Sequence, residues 1–195
     1  HDLGYVKGGK CTVETLSGIK KLEFFTGEDG KVESVRVDMG APILDGKSVP
    51  STIDGEKVVG YPLEVGGKTY GVTLVSMGNP HCVVFADPDT TDVEGLGRQF
   101  ENHPAFPDRI NTEFVKVTAS NKLKMRVWER GSGETFACGT GACASAVAAV
   151  LNGFADMDVP VTVSLLGGEL QIEYTGRTVY MTGRATLVFT GDIAL

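Results

Sequence analysis

Residues 140–153 read TGACASAVAAVLNG, a run with almost no polar side chain on any side of a helix. The run predicts a helix from Thr140 to about Asn152, and Gly153 stands where glycine commonly ends a helix. A helix that is apolar all round has to be buried on all sides. Its small alanine side chains let strands approach closely. The stretch therefore predicts a central helix enclosed by a sheet.

Most of the remaining chain predicts strands, because β-branched or alternating apolar runs recur along it. The predicted strands are 11–16, 19–25, 31–39, 69–77, 81–86, 111–118, 122–129, 159–166, 169–174, 178–182 and 185–189. A short helix is predicted with a cap near Asp92 and its end before Pro104, with Leu96 and Phe100 on the apolar side. The expected fold is α+β, with a strongly curved, mostly antiparallel sheet around the central helix. Residues 40–42 and 45–55 are the candidates for a domain boundary.

Composition excludes several classes of function. The 195 residues carry a net charge of −7 without a run of Lys or Arg, so a nucleic-acid surface is not expected. The longest apolar stretch, 142–151, is too short to span a bilayer, so no membrane partner is expected either. The four cysteines show no metal-finger spacing, which favours free thiols in a reducing cytoplasm.

Cys138 stands at the mouth of the predicted helix, next to Gly139-Thr140-Gly141. Unpaired N–H groups and the helix dipole favour a thiolate at such a position and also form a seat for a carboxylate. Together they suggest chemistry at the α-carbon of an acid. The alternative interpretation is a small buried hydrophobic side chain. That interpretation is preferred for the other thiols, which are Cys11, Cys82 and Cys143.

Charged and polar residues near Cys138 are further candidates. Glu129 and Arg130 end a predicted strand and lead into the glycine-rich loop, where Arg could grip a carboxylate or simply be solvated. His81 follows Asn79-Pro80 and could orient or protonate a reacting group, or be a hydrogen-bonded core histidine. The loop has neither the Lys-Ser/Thr of a phosphate loop nor the strand–GxGxxG order of a dinucleotide site, so no nucleotide is implied.

Residues 128–141, WERGSGETFACGTG, resemble the second catalytic motif of diaminopimelate epimerases. Three further segments agree in order, namely 12–18 (TVETLSG), 78–82 (GNPHC) and 109–114 (RINTEF). The resemblance covers the whole chain. It implies a fold of two pseudo-symmetric halves, each a curved sheet around a central helix.

The same resemblance implies an activity. Diaminopimelate epimerases interconvert LL- and meso-diaminopimelate in lysine and peptidoglycan precursor biosynthesis, without pyridoxal phosphate, metal or nucleotide. Two cysteines on opposite faces of the α-carbon move the proton. The resemblance implies this small substrate as the partner and implies no cofactor. It leaves open whether the chain forms a homodimer. Alternatives are a proline or histidine racemase, or a module that binds an amino acid without turnover.

The resemblance implies catalytic and substrate-binding roles for the residues that match the family's motifs. Three are catalytic: Cys138 as one of the two cysteines, Glu129 as its support, and His81 as the group serving the other cysteine. Glu129 also contacts the α-amino group. The remaining roles are substrate binding, by the N–H groups of Gly139 and Thr140 at the α-carboxylate and by Asn79, Asn111 and Arg130 at the distal carboxylate.

The first cysteine motif of the family is not found in this sequence. We therefore expect a fragment in which residues 40–183 form the complete C-terminal half. Residues 1–39 and 184–195 are then remnants of the N-terminal half. We expect the 195 residues alone to be inactive.

Overall fold

The computed structural model describes residues 1–16 and 18–193. Within them, twelve strands form one sheet: β1 Lys10–Thr15, β2 Gly18–Thr26, β3 Val32–Gly40, β4 Tyr61–Val65, β5 Lys68–Ser76, β6 Pro80–Phe85, β7 Asn111–Ala119, β8 Lys122–Glu129, β9 Gly133–Thr135, β10 Val161–Leu165, β11 Gly168–Tyr174 and β12 Val179–Arg184. The strand order is β1-β2-β3-β12-β11-β10-β8-β7-β6-β5-β4, and β9 pairs with β8. The sheet is mostly antiparallel, as predicted.

Two strand pairs, β6–β7 and β8–β10, are parallel, and a helix connects each. Parallel neighbours need such a crossover connection. Helix α1, Val93–Glu101, joins β6 to β7, and its N-cap Asp92 accepts a hydrogen bond from the Gly95 N–H. Helix α2, Gly139–Leu151, lies between β8 and β10. Gly153, at φ +74°, follows its last turn in the left-handed conformation that glycine adopts without strain.

The two helices cover opposite faces of strands β5–β8. Successive strand residues point to opposite faces, and Val83 and Val115 pack in the cluster around α2, whereas Val84 and Phe114 pack in the cluster that includes Phe100 of α1. Because both faces are covered, β6 is buried from Pro80 to Val84. This explains the continuous apolar runs in the central strands.

Helix α2 is enclosed on every side. All residues from Gly141 to Ala149 are buried, and the helix contacts strands β5–β8 and β10–β12. The prediction of a central helix within a sheet is confirmed.

Strands β1–β3 are different. None of their described residues is buried, and neither helix contacts them. Large apolar side chains on and beside these strands stay exposed, among them Val13, Leu16, Ile19 and Phe25.

Several predicted elements were wrong. Residues 185–189 form no strand, and their apolar side chains Leu187, Val188 and Phe189 stay exposed and gain no packing. Strand β4 was not predicted, because a proline such as Pro62 is untypical of a central strand. β4 is an edge strand, where proline is tolerated, and its Leu63 and Val65 are buried. The three-residue strand β9 was also missed. Residues 45–55, one of the candidate boundaries, contribute Val49 and Ile53 to the buried core; the boundary itself stays a prediction. Within the described residues, neither helix is long and apolar enough to cross a membrane.

Candidate active site

The first turn of α2 places the candidate thiol and a row of backbone N–H groups together. Cys138 is the N-cap residue, with extended backbone after the β8–β9 hairpin. The first N–H bonded within the helix is that of Ala142, which donates to the Cys138 carbonyl at 2.9 Å. The N–H groups of Gly139 and Thr140 precede it, and both residues are partly exposed. This geometry suits a carboxylate.

The pKa of the Cys138 thiol lies well above neutral pH. Its side chain is buried, and burial, followed by the nearby charge of Glu113, raises the pKa of the thiol from 9.0 to about 12. Two contacts lower the pKa, but by less than burial raises it. They are those with the Thr140 hydroxyl, 3.5 Å from Sγ, and with the Gly141 N–H. Burial therefore outweighs the favourable effect of the helix N-terminus on the thiolate.

We expect Cys138 to react slowly with iodoacetamide at neutral pH and faster as the pH rises towards 12. The half-buried Cys11 should be alkylated first, and Cys143, buried with a pKa of about 12, should also react slowly. Mass-spectrometric mapping of brief labelling at several pH values measures this. Labelling of Cys138 ahead of Cys11 at pH 7 would contradict the structure.

Thiol protonation also links folding to pH. Because the folded-state pKa of Cys138 and Cys143 exceeds the ordinary 9.0, both thiols stabilise the fold fully below that pH. This stabilisation decreases as the pH rises towards 12.

His81 lies under the first turn of α2 and is held from both sides. Its Nδ1 is 2.6 Å from Glu113 Oε1, and both side chains are fully buried. Its Nε2 is 3.0 Å from Asn79 Oδ1. The Asn79 amide in turn donates to Thr140 Oγ1 at 3.2 Å. Hydrogen bonds thus connect the predicted residues Asn79, His81 and Thr140 with Cys138.

Glu113 is a candidate that the sequence analysis missed, although it belongs to the RINTEF segment. The available signal was a carboxylate in the middle of an apolar strand, where charged residues are seldom buried without a partner. Gly141 makes room for it, since a Cβ there would lie 2.7 Å from Glu113 Oε1.

Asn111, Arg130 and Glu129 lie beside this row. Asn111 Nδ2 donates to the Pro80 carbonyl at 2.7 Å, and its Oδ1 accepts from the Arg130 N–H at 2.9 Å. The Arg130 guanidinium is partly exposed and donates to the Asp108 carbonyl at 3.0 Å. Glu129 accepts from the Thr135 hydroxyl, and its charge also contributes to the raised pKa of Cys138. Asn111 thus ties the start of β6 to the turn after β8.

Comparison with known proteins shows the family to which the chain is related. A model of the diaminopimelate epimerase family matches residues 73–188. The chain is 50% identical to the diaminopimelate epimerase of Pelotomaculum thermopropionicum over 194 residues, which are 98% of this chain and 68% of that protein. Identity to the enzyme of Desulfitobacterium hafniense is 52% over 194 residues, 98% of this chain and 67% of the relative. The chain belongs to the diaminopimelate epimerase family.

Membership in the diaminopimelate epimerase family makes the protein an isomerase and confirms the resemblance found in the sequence. The chain spans about two thirds of the length of these relatives. Solved structures share the fold: a hydroxyproline epimerase from Agrobacterium vitis has a TM-score of 0.63 at 15% identity, covering 93% of this chain and 58% of that one. A PhzF-family phenazine biosynthesis protein from Enterococcus faecalis has a TM-score of 0.65 at 15% identity, covering 100% and 68%.

Glu101 supports the epimerase motif from helix α1. Its buried carboxylate accepts from Trp128 Nε1 at 2.6 Å and from the Gly131 N–H at 2.8 Å. Arg109 adds a contact of 3.3 Å. These bonds fix both ends of the segment that carries Glu129 and Arg130. No role was predicted for Glu101, because α1 and the motif are distant along the chain.

Proposed function

We propose that the protein inverts an α-carbon of diaminopimelate between the LL and meso forms, with Cys138 as one of two acid–base groups on opposite faces. This function belongs to lysine and peptidoglycan precursor biosynthesis in the cytoplasm, where thiols stay reduced. The observation that carries the proposal is the Cys138 thiol at the N-terminus of α2, beside the N–H groups of Gly139 and Thr140.

In the proposed reaction these N–H groups hold the α-carboxylate. The group opposite Cys138 removes the α-proton, and the negative charge spreads into the carboxylate, where the helix N-terminus stabilises it. Because the resting thiol carries its proton, Cys138 then delivers that proton to the other face and becomes a thiolate. The opposite group has gained one proton and Cys138 has lost one. The thiolate is the base for the reverse direction.

The neighbouring side chains complete the proposed site. Glu129 contacts the α-amino group and supports Cys138, which fits its electrostatic influence on the thiol. Asn79, Asn111 and Arg130 bind the distal carboxylate. His81 serves the second acid–base group. The partly exposed guanidinium of Arg130, a bidentate donor to carboxylates, supports this assignment over a substrate with a single carboxylate.

Chiral chromatography of LL-diaminopimelate incubated with the full-length gene product in D₂O tests the proposal. We expect meso product with deuterium at the inverted carbon, and no turnover of L-proline or L-histidine. Turnover of proline or histidine instead would favour a racemase of that type. Binding of diaminopimelate without deuterium incorporation would favour a binding module.

We also propose that residues 40–183 form one complete half and that residues 1–39 and 184–195 belong to a second half. The uncovered strands β1–β3 support this division. In the 195-residue polypeptide we expect backbone amides of β1–β3 to exchange with solvent faster than those of β5–β8, because they have few buried contacts. Hydrogen-exchange mass spectrometry measures the difference. Equal protection of both regions would contradict the division.

A further inference from the structure

Glu101 is a buried carboxylate at an unfavourable position of helix α1. It is the last residue of the helix, where a negative charge opposes the helix dipole, and its burial adds a desolvation cost. An uncharged side chain would avoid both costs. The position of Glu101 therefore suggests a role other than stabilising α1.

Each hydrogen bond of the Glu101 carboxylate comes from a group that only donates. Oε2 accepts from the Trp128 indole N–H at 2.6 Å. Oε1 accepts from the Gly131 N–H at 2.8 Å and from the Arg109 guanidinium at 3.3 Å. Because none of these three groups can accept, each needs an oxygen atom opposite it. A carboxylate supplies oxygen on both sides, whereas an amide in either orientation would turn its NH₂ group towards a donor.

The turn after β8 depends on these bonds more than the strand does. Glu129, the last residue of β8, still belongs to the ladder with β9. Arg130 and the following Gly131 lie in the turn beyond that ladder. The Gly131 N–H donates to Glu101, and this bond helps to fix the turn immediately after Arg130. Loss of the Glu101 carboxylate should therefore disturb Arg130 more than Glu129.

The same carboxylate holds the loop that the Arg130 side chain contacts. The Arg130 guanidinium donates to the Asp108 carbonyl at 3.0 Å. The next residue, Arg109, has a φ of +59°, in the left-handed region that is costly for a residue with a side chain. Its N–H donates to the Phe106 carbonyl at 2.9 Å and its guanidinium donates to Glu101, and both contacts hold it there. Glu101 thus contacts both segments that determine where the Arg130 guanidinium points.

We propose that Glu101 is a positioning residue for the distal carboxylate of the substrate. Together with Arg109 it anchors the turn and the loop on either side of the Arg130 side chain, and so directs the Arg130 guanidinium at that carboxylate. The inference rests on the proposed function, in which Arg130 binds the distal carboxylate. Glu101 acts through Arg130 and not on the reacting carbon.

Glu101→Gln in the full-length gene product tests this role. We expect KM for LL-diaminopimelate to rise roughly 10- to 100-fold, the range for losing a hydrogen bond to a charged group. The kcat should change little, because the distal carboxylate is bound alike before and during proton transfer. Glu94→Gln is the matched control, since Glu94 lies exposed on the same helix. Its KM and kcat should be those of the wild type.

A double variant decides whether Glu101 acts through Arg130. Arg130→Lys already removes the planar pair of donors, so adding E101Q to R130K should lower kcat/KM little further. Losses that multiply would overturn the inference, because Glu101 would then act independently of Arg130. A fall in kcat at unchanged KM in E101Q would overturn it as well.

Arg109→Gln is a second variant, which serves even if E101Q does not fold, because the Arg109 side chain is 56% exposed. It removes one contact of Glu101, and KM should rise several-fold at unchanged kcat. A wild-type KM in either E101Q or R109Q would overturn the inference.

Calorimetric titration with meso-diaminopimelate separates this inference from the proposed function, because binding can be measured without turnover. The Kd should rise in E101Q and R109Q but not in E94Q. A wild type that binds diaminopimelate without epimerising it would refute the proposed function, and the Kd of the variants would still decide on Glu101. A wild type that does not bind diaminopimelate would overturn both.

Discussion

Cys138→Ala in the full-length gene product is expected to lower kcat/KM for epimerisation by roughly 10⁴-fold, the upper range for loss of a positioned acid–base group. The variant lacks the proton donor on one face, so a carbanion formed from the other face can be reprotonated only from the side that lost the proton. One stereoisomer should therefore still exchange its α-hydrogen with D₂O while keeping its configuration. Chiral chromatography with mass spectrometry separates exchange from inversion.

Cys143→Ala provides the matched control for this experiment. Cys143 lies on the same helix and is fully buried in the core around α2. Its replacement should leave kcat/KM near the wild-type value. Inversion by C138A at a rate near the wild type would remove Cys138 from the reaction.

Arg130→Lys is expected to reduce transition-state stabilisation by about 2–4 kcal/mol, the loss that follows when one partner of a hydrogen-bonded charge pair is compromised. Lys is a point charge and cannot reproduce the planar pair of donors that a guanidinium offers to a carboxylate. Steady-state kinetics with LL-diaminopimelate measure this loss as a fall in kcat/KM.

Arg98→Lys is the control for this substitution. Arg98 lies exposed on helix α1, where it pairs with Glu94 one turn away, and such pairs contribute little. Its replacement should not change kcat/KM. If R130K behaved in the same way, Arg130 would be a surface residue rather than part of the substrate site.

The elements that sequence reasoning predicted well are those whose signal is local. The apolar run of α2 and Gly153 specify a buried helix and its end without reference to any other segment. The short helix after Asp92 was predicted from its cap and its apolar side, and both were confirmed. The family motif around Cys138 is equally local, and three further segments agreed with it in order.

The features that could not be predicted depend on segments that meet only in the fold. The charge of Glu113 acts on the Cys138 thiol because β7 runs beside β6 beneath α2. The sequence around Cys138 shows neither how deeply the thiol is buried nor this nearby charge. The helix N-terminus does favour a thiolate, but burial outweighs it and the thiol stays protonated. Residues 185–189 have strand-like composition, yet their apolar side chains find no surface to pack against in the described residues.

The enclosure of α2 has a consequence for the order of folding. Thirteen residues without a polar face gain little as an isolated helix in water, and helices of that length are marginal by themselves. Their partners come from β5 on one side of the sequence and from β12 on the other, so the helix has to wait for contacts between distant parts of the chain, which form slowly. The first turn that carries Cys138 then takes shape only when the strands close around it. Chains on a ribosome or in a refolding mixture should therefore acquire the catalytic centre late, together with the complete enclosure.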